Sequence, residues 1–128
     1  MKLLLDTCTF LWLITDAPEL SAGARERFTN PANEVFLSAA SAWEIGIKWR
    51  RERLPLPQPP TSFVPDQRDA HGIAALGIDE ESALHVTRLP DLHRDPFDRM
   101  LVSQAIVHGL VLVTPDPLIT QYPARTVW

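Results

Sequence analysis

The sequence predicts an α/β fold, a three-layer α/β/α sandwich built around a central, mainly parallel sheet. Two apolar runs, at residues 3–5 and 110–113, are too short for helices and are typical of strands buried on both faces. Between them, strand-like segments alternate with segments of helical periodicity, as in parallel sheets whose strands are joined by helices. Asp6 directly follows the first run and Asp116 closely follows the second. Because ligands bind at the carboxyl ends of strands in open α/β sheets, we expect both carboxylates at a functional edge of the sheet.

In the first half of the chain, polar residues mark the starts of the predicted helices. Thr7 is suited to cap a helix, because its side-chain oxygen can accept a hydrogen bond from the free amides of a first turn, and a second helix is expected to start at Ser21. The proline-rich segment at residues 54–60 blocks helix continuation and is expected to be a loop between two halves of one domain. The elements predicted here are a helix at 7–14, a helix at 21–30, a strand at 34–37 and, after Ser38, a helix that includes Ala40, Trp43 and Ile47, with Leu54 left open.

The second half of the chain continues the alternation. Asp79 is an acidic cap for one helix, and a loop at residues 93–98 leads into another. Asp98 is expected in the first turn of that second helix, where the helix dipole favours a carboxylate. The elements predicted here are a helix at 61–72, a strand at 73–78, a helix at 79–87, a helix from Phe97 with Leu101 and Ala105 on its apolar face, a strand at 110–114, one helical turn at 118–122 and an edge strand at 125–128.

Length and composition limit the classes of protein to consider. The 128 residues fit a single domain, residues 1–128. The net charge of −4, from 12 basic and 16 acidic residues, excludes a global positive field, so nucleic-acid binding requires a local basic patch. Cys8 is the only cysteine, which excludes an intrachain disulfide and a multi-cysteine zinc site and favours the cytoplasm. No signal peptide is evident, and no apolar run approaches the roughly 18 residues of a membrane span.

Four acidic residues are candidates for one site. If the strand ends that carry Asp6 and Asp116 adjoin, the helices that carry Glu44 and Asp98 rise from the same edge and can direct both side chains inward. Crowded carboxylates raise one another's pKa unless a cation compensates their charge. An all-oxygen set suits Mg²⁺ or Mn²⁺ better than zinc. Because such ions activate water and neutralise charge that develops on phosphorus, phosphodiester hydrolysis is the leading reaction class.

Each of these residues has a simpler structural interpretation when it is considered alone. An aspartate after a strand is more often a helix cap than a ligand, Glu44 would be a solvated helix residue, and Asp98 a favourable first-turn charge. Only the convergence of all four carboxylates on one place favours a functional site. Cys8 lacks an evident base and is expected to be a small packing residue rather than a nucleophile. His93 is expected to be a loop histidine bonded to a neighbouring carboxylate.

The only dense basic segment covers residues 48–53, and its cations are Lys48, Arg50, Arg51 and Arg53. Either these cations grip an RNA backbone, with the tryptophan in the run stacking on a base, or they form a solvated helix end that suits the C-terminal dipole. Trp12, Trp43 and Trp49 can line an apolar groove for a partner helix or belong to the core. Trp43 is expected in the core, and Trp128 is expected to tether the last strand.

Four segments resemble the motifs of the PIN-domain ribonucleases of the VapC toxin type, in the same order and over nearly the whole chain. They are residues 3–7 (LLLDT), 38–45 (SAASAWEI), 93–99 (HRDPFDR) and 112–116 (LVTPD). The resemblance implies a PIN-like sandwich and an endoribonuclease that depends on Mg²⁺ or Mn²⁺. It also implies inhibition by a cognate VapB-type antitoxin, a homodimer, and DNA binding only through the antitoxin.

The resemblance also implies roles for the acidic residues. Asp6, Glu44, Asp98 and Asp116 match the acidic set of the family. Asp6 is expected to be the principal metal ligand and Asp98 to complete the direct ligands. Glu44 and Asp116 are expected to bind through water or to orient the attacking water. Asp95 is the alternative to Asp98. We favour Asp98, because the helical pattern that follows Asp98 matches that of the family.

Thr114 and Thr7 are expected to support this site, Thr114 through a hydrogen bond to a carboxylate or a bound water. The rival to an active enzyme is a catalytically inactive PIN domain that binds RNA or protein. A phosphatase with an aspartate nucleophile is disfavoured, because that chemistry requires a second aspartate where Cys8 stands.

Overall fold

A five-stranded, entirely parallel sheet forms the centre of the computed structural model, which describes residues 1–128. Its strands are β1 (Lys2–Leu5), β2 (Glu34–Ser38), β3 (Ala74–Leu76), β4 (Val111–Val113) and β5 (Thr126–Val127), in the spatial order β3-β2-β1-β4-β5. The helices are α1 (Thr7–Ile14), α2 (Ala22–Thr29), α3 (Ala39–Arg50), α4 (Pro60–Ala70), α5 (Glu80–His85), α6 (Pro96–His108) and α7 (Pro117–Thr120), with a 3₁₀ turn at Val86–Arg88. The predicted α/β class is confirmed. None of the helices has both the length and the apolar character needed to cross a membrane.

The central strand β1 is buried on both faces, which explains its unbroken run of leucines. Leu4 lies beside Phe36 of β2 and Leu112 of β4, and all three side chains contact one apolar cluster. Leu3 and Leu5 contact the opposite cluster. Burying each such leucine stabilises the fold by about 1.5–3 kcal/mol. The alternation therefore fixes the register of β1 between two helical layers.

Helices cover both faces of the sheet, and α3 reaches both. α1, α2 and α4 contribute to the cluster around Leu3 and Leu5, whereas α6 and α7 contribute to the cluster around Leu4. α3 places Ala40 in the second cluster and Ile45 in the first. Its first turns therefore lie over the carboxyl edge of the sheet, next to the ends of the central strands.

Helix capping agrees with the predictions at Asp79 and differs at Thr7. Asp79 caps α5, as predicted, and Ser21, the expected start of the second helix, is the cap of α2. The predicted cap of α1, Thr7, is wrong: Asp6 has extended backbone angles at the end of β1, and its carboxylate accepts a hydrogen bond from the Thr9 amide at 2.7 Å. Thr7 is already helical, so its hydroxyl is available for other contacts.

Of three other expectations, two change in detail and one holds. α3 ends at Arg50, so Leu54 lies in the following loop, where it packs against the core. Trp43 is not a core residue, since 62% of it is exposed and it contacts the edge of Phe97, with ring centroids 5.1 Å apart. Trp128 packs edge-on against Trp12 at 6.0 Å, as expected of a residue that tethers the last strand.

Candidate active site and metal centre

The strand order brings the predicted acidic residues to one place. Leu5 pairs with Val113, so the ends of β1 and β4 adjoin, and Asp6 and Asp116 follow them at the same edge. A pocket of about 250 Å³ opens there. It is lined by Asp6, Thr7, Cys8, Glu44, Lys48, His93, Asp95, Asp98 and Asp116. All four carboxylates of the predicted set, and the alternative Asp95, therefore face one cavity.

Asp6 is the most deeply buried acid of the pocket, with 4% of its surface exposed. One carboxylate oxygen accepts the hydrogen bond from the Thr9 amide, and the other accepts a hydrogen bond from the Thr114 hydroxyl. Burial raises the pKa of Asp6, and the negative charge of Asp116 raises it further, whereas the two hydrogen bonds oppose the rise. A cation in the pocket would favour the ionised form that these hydrogen bonds orient.

Thr114 couples the two aspartates that follow β1 and β4. Besides donating to Asp6, its hydroxyl accepts a hydrogen bond from the Asp116 amide at 3.1 Å. Asp116 itself caps α7, because its Oδ1 accepts from the Leu118 amide at 2.9 Å. Its Oδ2 has no hydrogen bond within the protein. Asp116 thus both caps α7 and lines the pocket. The expected hydrogen bond from Thr114 to a carboxylate is present.

Glu44 enters the pocket from the second turn of α3 and is 6% exposed. Its Oε1 accepts a hydrogen bond from the Thr7 hydroxyl at 2.7 Å, and its Oε2 forms an ion pair with Lys48 at 2.7 Å. The hydrogen bond to Glu44 raises the pKa of Lys48, which therefore stays protonated. Lys48, predicted only as part of an RNA-binding run, is a wall of the acidic pocket. The sequence signal for this ion pair is the spacing, because Lys48 follows Glu44 by four residues on one helix.

His93, Asp95 and Asp98 form the tightest group of possible metal ligands, with one ligand atom from each within 4.8 Å of the others. His93 Nε2 lies 2.8 Å from Asp98 Oδ2, so the expected bond of this histidine to a neighbouring carboxylate is confirmed. Burial raises the pKa of Asp98 to about 6, and the charges of Asp95 and Glu44 add to the rise, while His93 opposes it. Asp95 caps α6, since its Oδ1 accepts from the amides of Phe97 and Asp98.

Cys8 is not the small packing residue that the sequence predicts. It is exposed and faces the acidic pocket, because the first turn of α1 starts directly at the pocket rim. Partial burial raises the pKa of the thiol, and the charge of Asp6 raises it further. The thiol is therefore protonated near neutral pH, which agrees with excluding Cys8 as a nucleophile.

The predicted basic run lies beside this pocket. Arg51 and Arg53 line an adjoining concavity whose other walls include Glu44, Lys48 and Asp95, three residues that also line the acidic pocket. Arg50 lies on the same face of α3 and is exposed. Lys48, Arg51 and Arg53 are therefore adjacent to Glu44 and Asp95, whereas Arg50 lines a further concavity that contains no carboxylate.

The family model described as the PIN domain matches residues 3–124 of the chain. This chain is a PIN domain. Ribonuclease VapC22 of Mycobacterium tuberculosis is 32% identical over 114 residues, which make up 88% of this chain and 85% of that protein. Ribonuclease VapC16 of the same organism is 40% identical over 72 residues, 53% of this chain, and the match spans only 51% of that relative. Both relatives place this PIN domain in the VapC group.

Solved structures of PIN-domain complexes share the fold. VapBC2 of Rickettsia felis, bound to a DNA fragment from its promoter, has a TM-score of 0.72 at 14% identity and covers 99% of this chain and 98% of that one. DNA-bound VapBC of Salmonella typhimurium has a TM-score of 0.71 at 24% identity and covers 99% and 97%. The three-layer arrangement around a parallel sheet is therefore that of the PIN fold.

The donor set of this PIN domain fits an oxygen-preferring divalent cation. The pocket offers five carboxylates and one imidazole, and its only cysteine is a protonated thiol. Hard ions such as Mg²⁺ and Mn²⁺ select such oxygen ligands, whereas zinc sites are usually built from cysteine and histidine. The raised pKa values of Asp6 and Asp98 are what crowded, buried carboxylates exhibit when no cation balances them.

Proposed function

We propose that this PIN domain is a metal-dependent endoribonuclease of the VapC type that hydrolyses RNA phosphodiester bonds. The observation that carries the proposal is the convergence of carboxylates from separate elements on one pocket: Asp6 after β1, Glu44 on α3, Asp98 on α6 and Asp116 after β4. The similarity to proteins named Ribonuclease VapC16 and Ribonuclease VapC22 supports the same activity. RNA is the proposed substrate and Mg²⁺ or Mn²⁺ the proposed cofactor.

In this mechanism Asp6 and Asp98 would be the residues that hold the ion. When bound, the ion supplies an activated water and neutralises the charge that develops on phosphorus. The hydrogen bonds from Thr9 and Thr114 fix the orientation of Asp6, so its charge is preorganised at the pocket floor. Asp98 keeps its Oδ1 free of protein hydrogen bonds, because His93 contacts only Oδ2.

Two other side chains position groups around that centre. Asp116 lines the pocket and has an Oδ2 without a hydrogen bond within the protein, and the proposed role of this oxygen is to accept a hydrogen bond from the attacking water. Glu44 is held by Thr7 and paired with Lys48, so the ammonium of Lys48 stays at the pocket wall. There the ammonium can contact a non-bridging phosphate oxygen and compensate part of the negative charge of the acidic cluster. Asp95 is retained as the alternative to Asp98.

A small VapB-like antitoxin is the proposed protein partner. An apolar cleft of about 240 Å³ supports this partner, because such a cleft suits the apolar face of a helix. Its apolar walls are Leu11, Trp12, Ile14, Leu54, Leu56 and Phe63. Related structures are described as VapBC complexes bound to DNA, which supports an antitoxin partner. DNA binding only through that antitoxin is part of the proposal. A homodimer and a cytoplasmic location complete the proposal.

The test is cleavage of total cellular RNA by the purified, antitoxin-free protein in Mn²⁺, in Mg²⁺ and in EDTA. The expected result is a set of discrete fragments that form with either metal and disappear in EDTA. Asp6→Asn should remove the cleavage, while Asp66→Asn, an exposed carboxylate on α4 outside the pocket, should retain it. Intact RNA under every condition, with wild type and variants alike, would exclude a ribonuclease active on cellular RNA.

A catalytically inactive PIN domain that binds RNA or protein is the second candidate. It is favoured by one observation, the ion pair that already neutralises Glu44 with Lys48. Mn²⁺ binding measured by calorimetry separates the two candidates. If the protein is an enzyme, wild type should bind Mn²⁺ and the Asp6→Asn variant should not. If it is an inactive module, wild type itself should bind no Mn²⁺ at this pocket.

A further inference from the structure

Three neighbouring concavities, which together we call the track, lie in succession between the carboxylates and Trp43. The acidic pocket shares Glu44, Lys48 and Asp95 with the concavity that contains Arg51 and Arg53. That concavity in turn shares a wall with a third, which is formed by Trp43, Gly46, Ile47, Arg50 and Arg51. The track therefore begins at negative side chains, passes cations and ends at an exposed indole.

The indole at the end of this track is both exposed and held in place. Trp43 is 62% exposed, an unusual state for a tryptophan in a helix that contacts both apolar clusters of the core. The edge contact with Phe97, at an interplanar angle of 87°, limits the orientations of the ring. Gly46 lies one turn further along α3 and leaves open space beside the indole, since a Cβ added there would meet no atom within 4 Å. A flat ligand has room to lie on this surface.

Charge distinguishes between the possible occupants. Arg50, Arg51 and Arg53 form no ion pair within the protein, so three cations flank the track without partners. A second copy of the chain that docked here through a two-fold axis would use the same patch of both copies and would bring the unpaired arginines of both into one interface. Like charges brought together in this way disfavour association. A polyanion with flat, apolar bases fits the same surface without that repulsion.

We infer that Trp43 is a base-stacking platform that, with Arg51 and Arg53, binds single-stranded RNA next to the cleavage point. This inference rests on the proposed ribonuclease function and assigns it a substrate path. The scissile phosphate lies at the carboxylates, a neighbouring phosphate contacts the arginines, and a base beyond it stacks on the indole. Base stacking on an aromatic side chain tolerates any base, so this contact adds affinity with little sequence preference.

The first test is binding of a fluorescein-labelled single-stranded RNA of about 12 nucleotides, measured by anisotropy in EDTA so that no cleavage occurs. Trp43→Ala should weaken binding by roughly 5- to 150-fold, the effect of losing one stacked base. Trp43→Phe keeps an aromatic face and should retain most of the affinity. Trp49→Ala is the matched control, because Trp49 is another exposed tryptophan of α3 but lines none of the three concavities. Equal affinities of wild type and Trp43→Ala would overturn the inference.

Cleavage and oligomeric state provide the second test. With an RNA that the wild type cleaves, Trp43→Ala should raise KM and leave kcat nearly unchanged, because it removes a contact outside the reacting centre. A loss of dimer mass in light scattering for Trp43→Ala, with RNA affinity unchanged, would assign the surface to a second copy and overturn the inference. If the wild type cleaves no RNA, the proposed function fails, and the anisotropy measurement still decides whether Trp43 binds RNA.

Discussion

Replacing Asp98 with asparagine should stabilise the metal-free protein while it removes activity. Burial raises the pKa of Asp98 from 3.8 to about 6, so the folded state disfavours the ionised form. Each pKa unit corresponds to 1.36 kcal/mol, so at pH about 8 the ionised carboxylate destabilises the fold by up to about 3 kcal/mol. The side chain is only 16% exposed, which limits screening by solvent. Asparagine carries no charge and should recover most of that free energy.

The dependence on pH has a definite sign. Between pH 3.8 and about 6 the folded protein binds more protons at Asp98 than the unfolded chain does, so the stability of the wild type falls as the pH rises through this window. The gain from Asp98→Asn should therefore be full above about pH 6 and vanish near pH 4. Urea unfolding of wild type and Asp98→Asn in EDTA, at pH about 8 and at pH about 4, measures this gain in unfolding free energy. A gain that is equal at the two pH values, or a loss at pH about 8, would refute the reasoning.

Asp95→Asn is the matched control, because asparagine caps helices as well as aspartate does and should preserve the start of α6. Its unfolding free energy should rise much less than that of Asp98→Asn at pH about 8, because it removes only the charge of Asp95 and leaves the burial of Asp98, the larger cause of the raised pKa. The same pair of variants tests the choice between the two residues as a ligand. Asp98→Asn should lose RNA cleavage and Asp95→Asn should keep it. The reverse pattern would assign the ligand role to Asp95.

Three further predictions concern stability. Thr114→Val should lower the unfolding free energy by about 1–3 kcal/mol in urea titrations, because it removes one of the two hydrogen bonds that buried Asp6 accepts, and it should slow RNA cleavage. Asp79→Asn should destabilise the protein above about pH 4, with a deficit that shrinks on acidification, because a hydrogen bond from His108 holds the pKa of Asp79 below its usual value. Gly109→Ala should lower the unfolding free energy by about 1 kcal/mol without affecting cleavage, since Gly109 ends α6 with a φ of 65°.

The fold could be predicted from the sequence because its signals are local. The leucines of β1 and the apolar run of β4 have no polar position to place toward solvent, so both strands must be central. The order of the strands does not follow from such local patterns. That Asp6 and Asp116 adjoin depends on the pairing of β1 with β4, which brings together residues far apart in the chain. From the sequence alone, Asp6 and Asp116 are predicted to be neighbours only if β1 and β4 pair.

The residues that were misplaced are those whose surroundings are set by distant elements. Trp43 lies four residues before Ile47 on α3, which indicated a core face, but no element of the chain covers that part of the helix. Cys8 is small and apolar in character, yet the first turn of α1 directs it into the pocket. Lys48 was considered only as part of a basic run that either binds RNA or forms a solvated helix end, and its contact with Glu44, a local helix pair that the spacing encoded, was missed.

The account depends on a divalent ion that is held at the carboxylates and is required for RNA cleavage. The most direct test is a Mn²⁺ titration in which calorimetric binding and the rate of RNA cleavage are followed over the same concentrations, with wild type, Asp6→Asn and Asp66→Asn. The account predicts that binding and cleavage rise together in wild type and in Asp66→Asn, and that both are lost in Asp6→Asn. Cleavage that persists in EDTA, or Mn²⁺ binding and cleavage that survive Asp6→Asn, would contradict it.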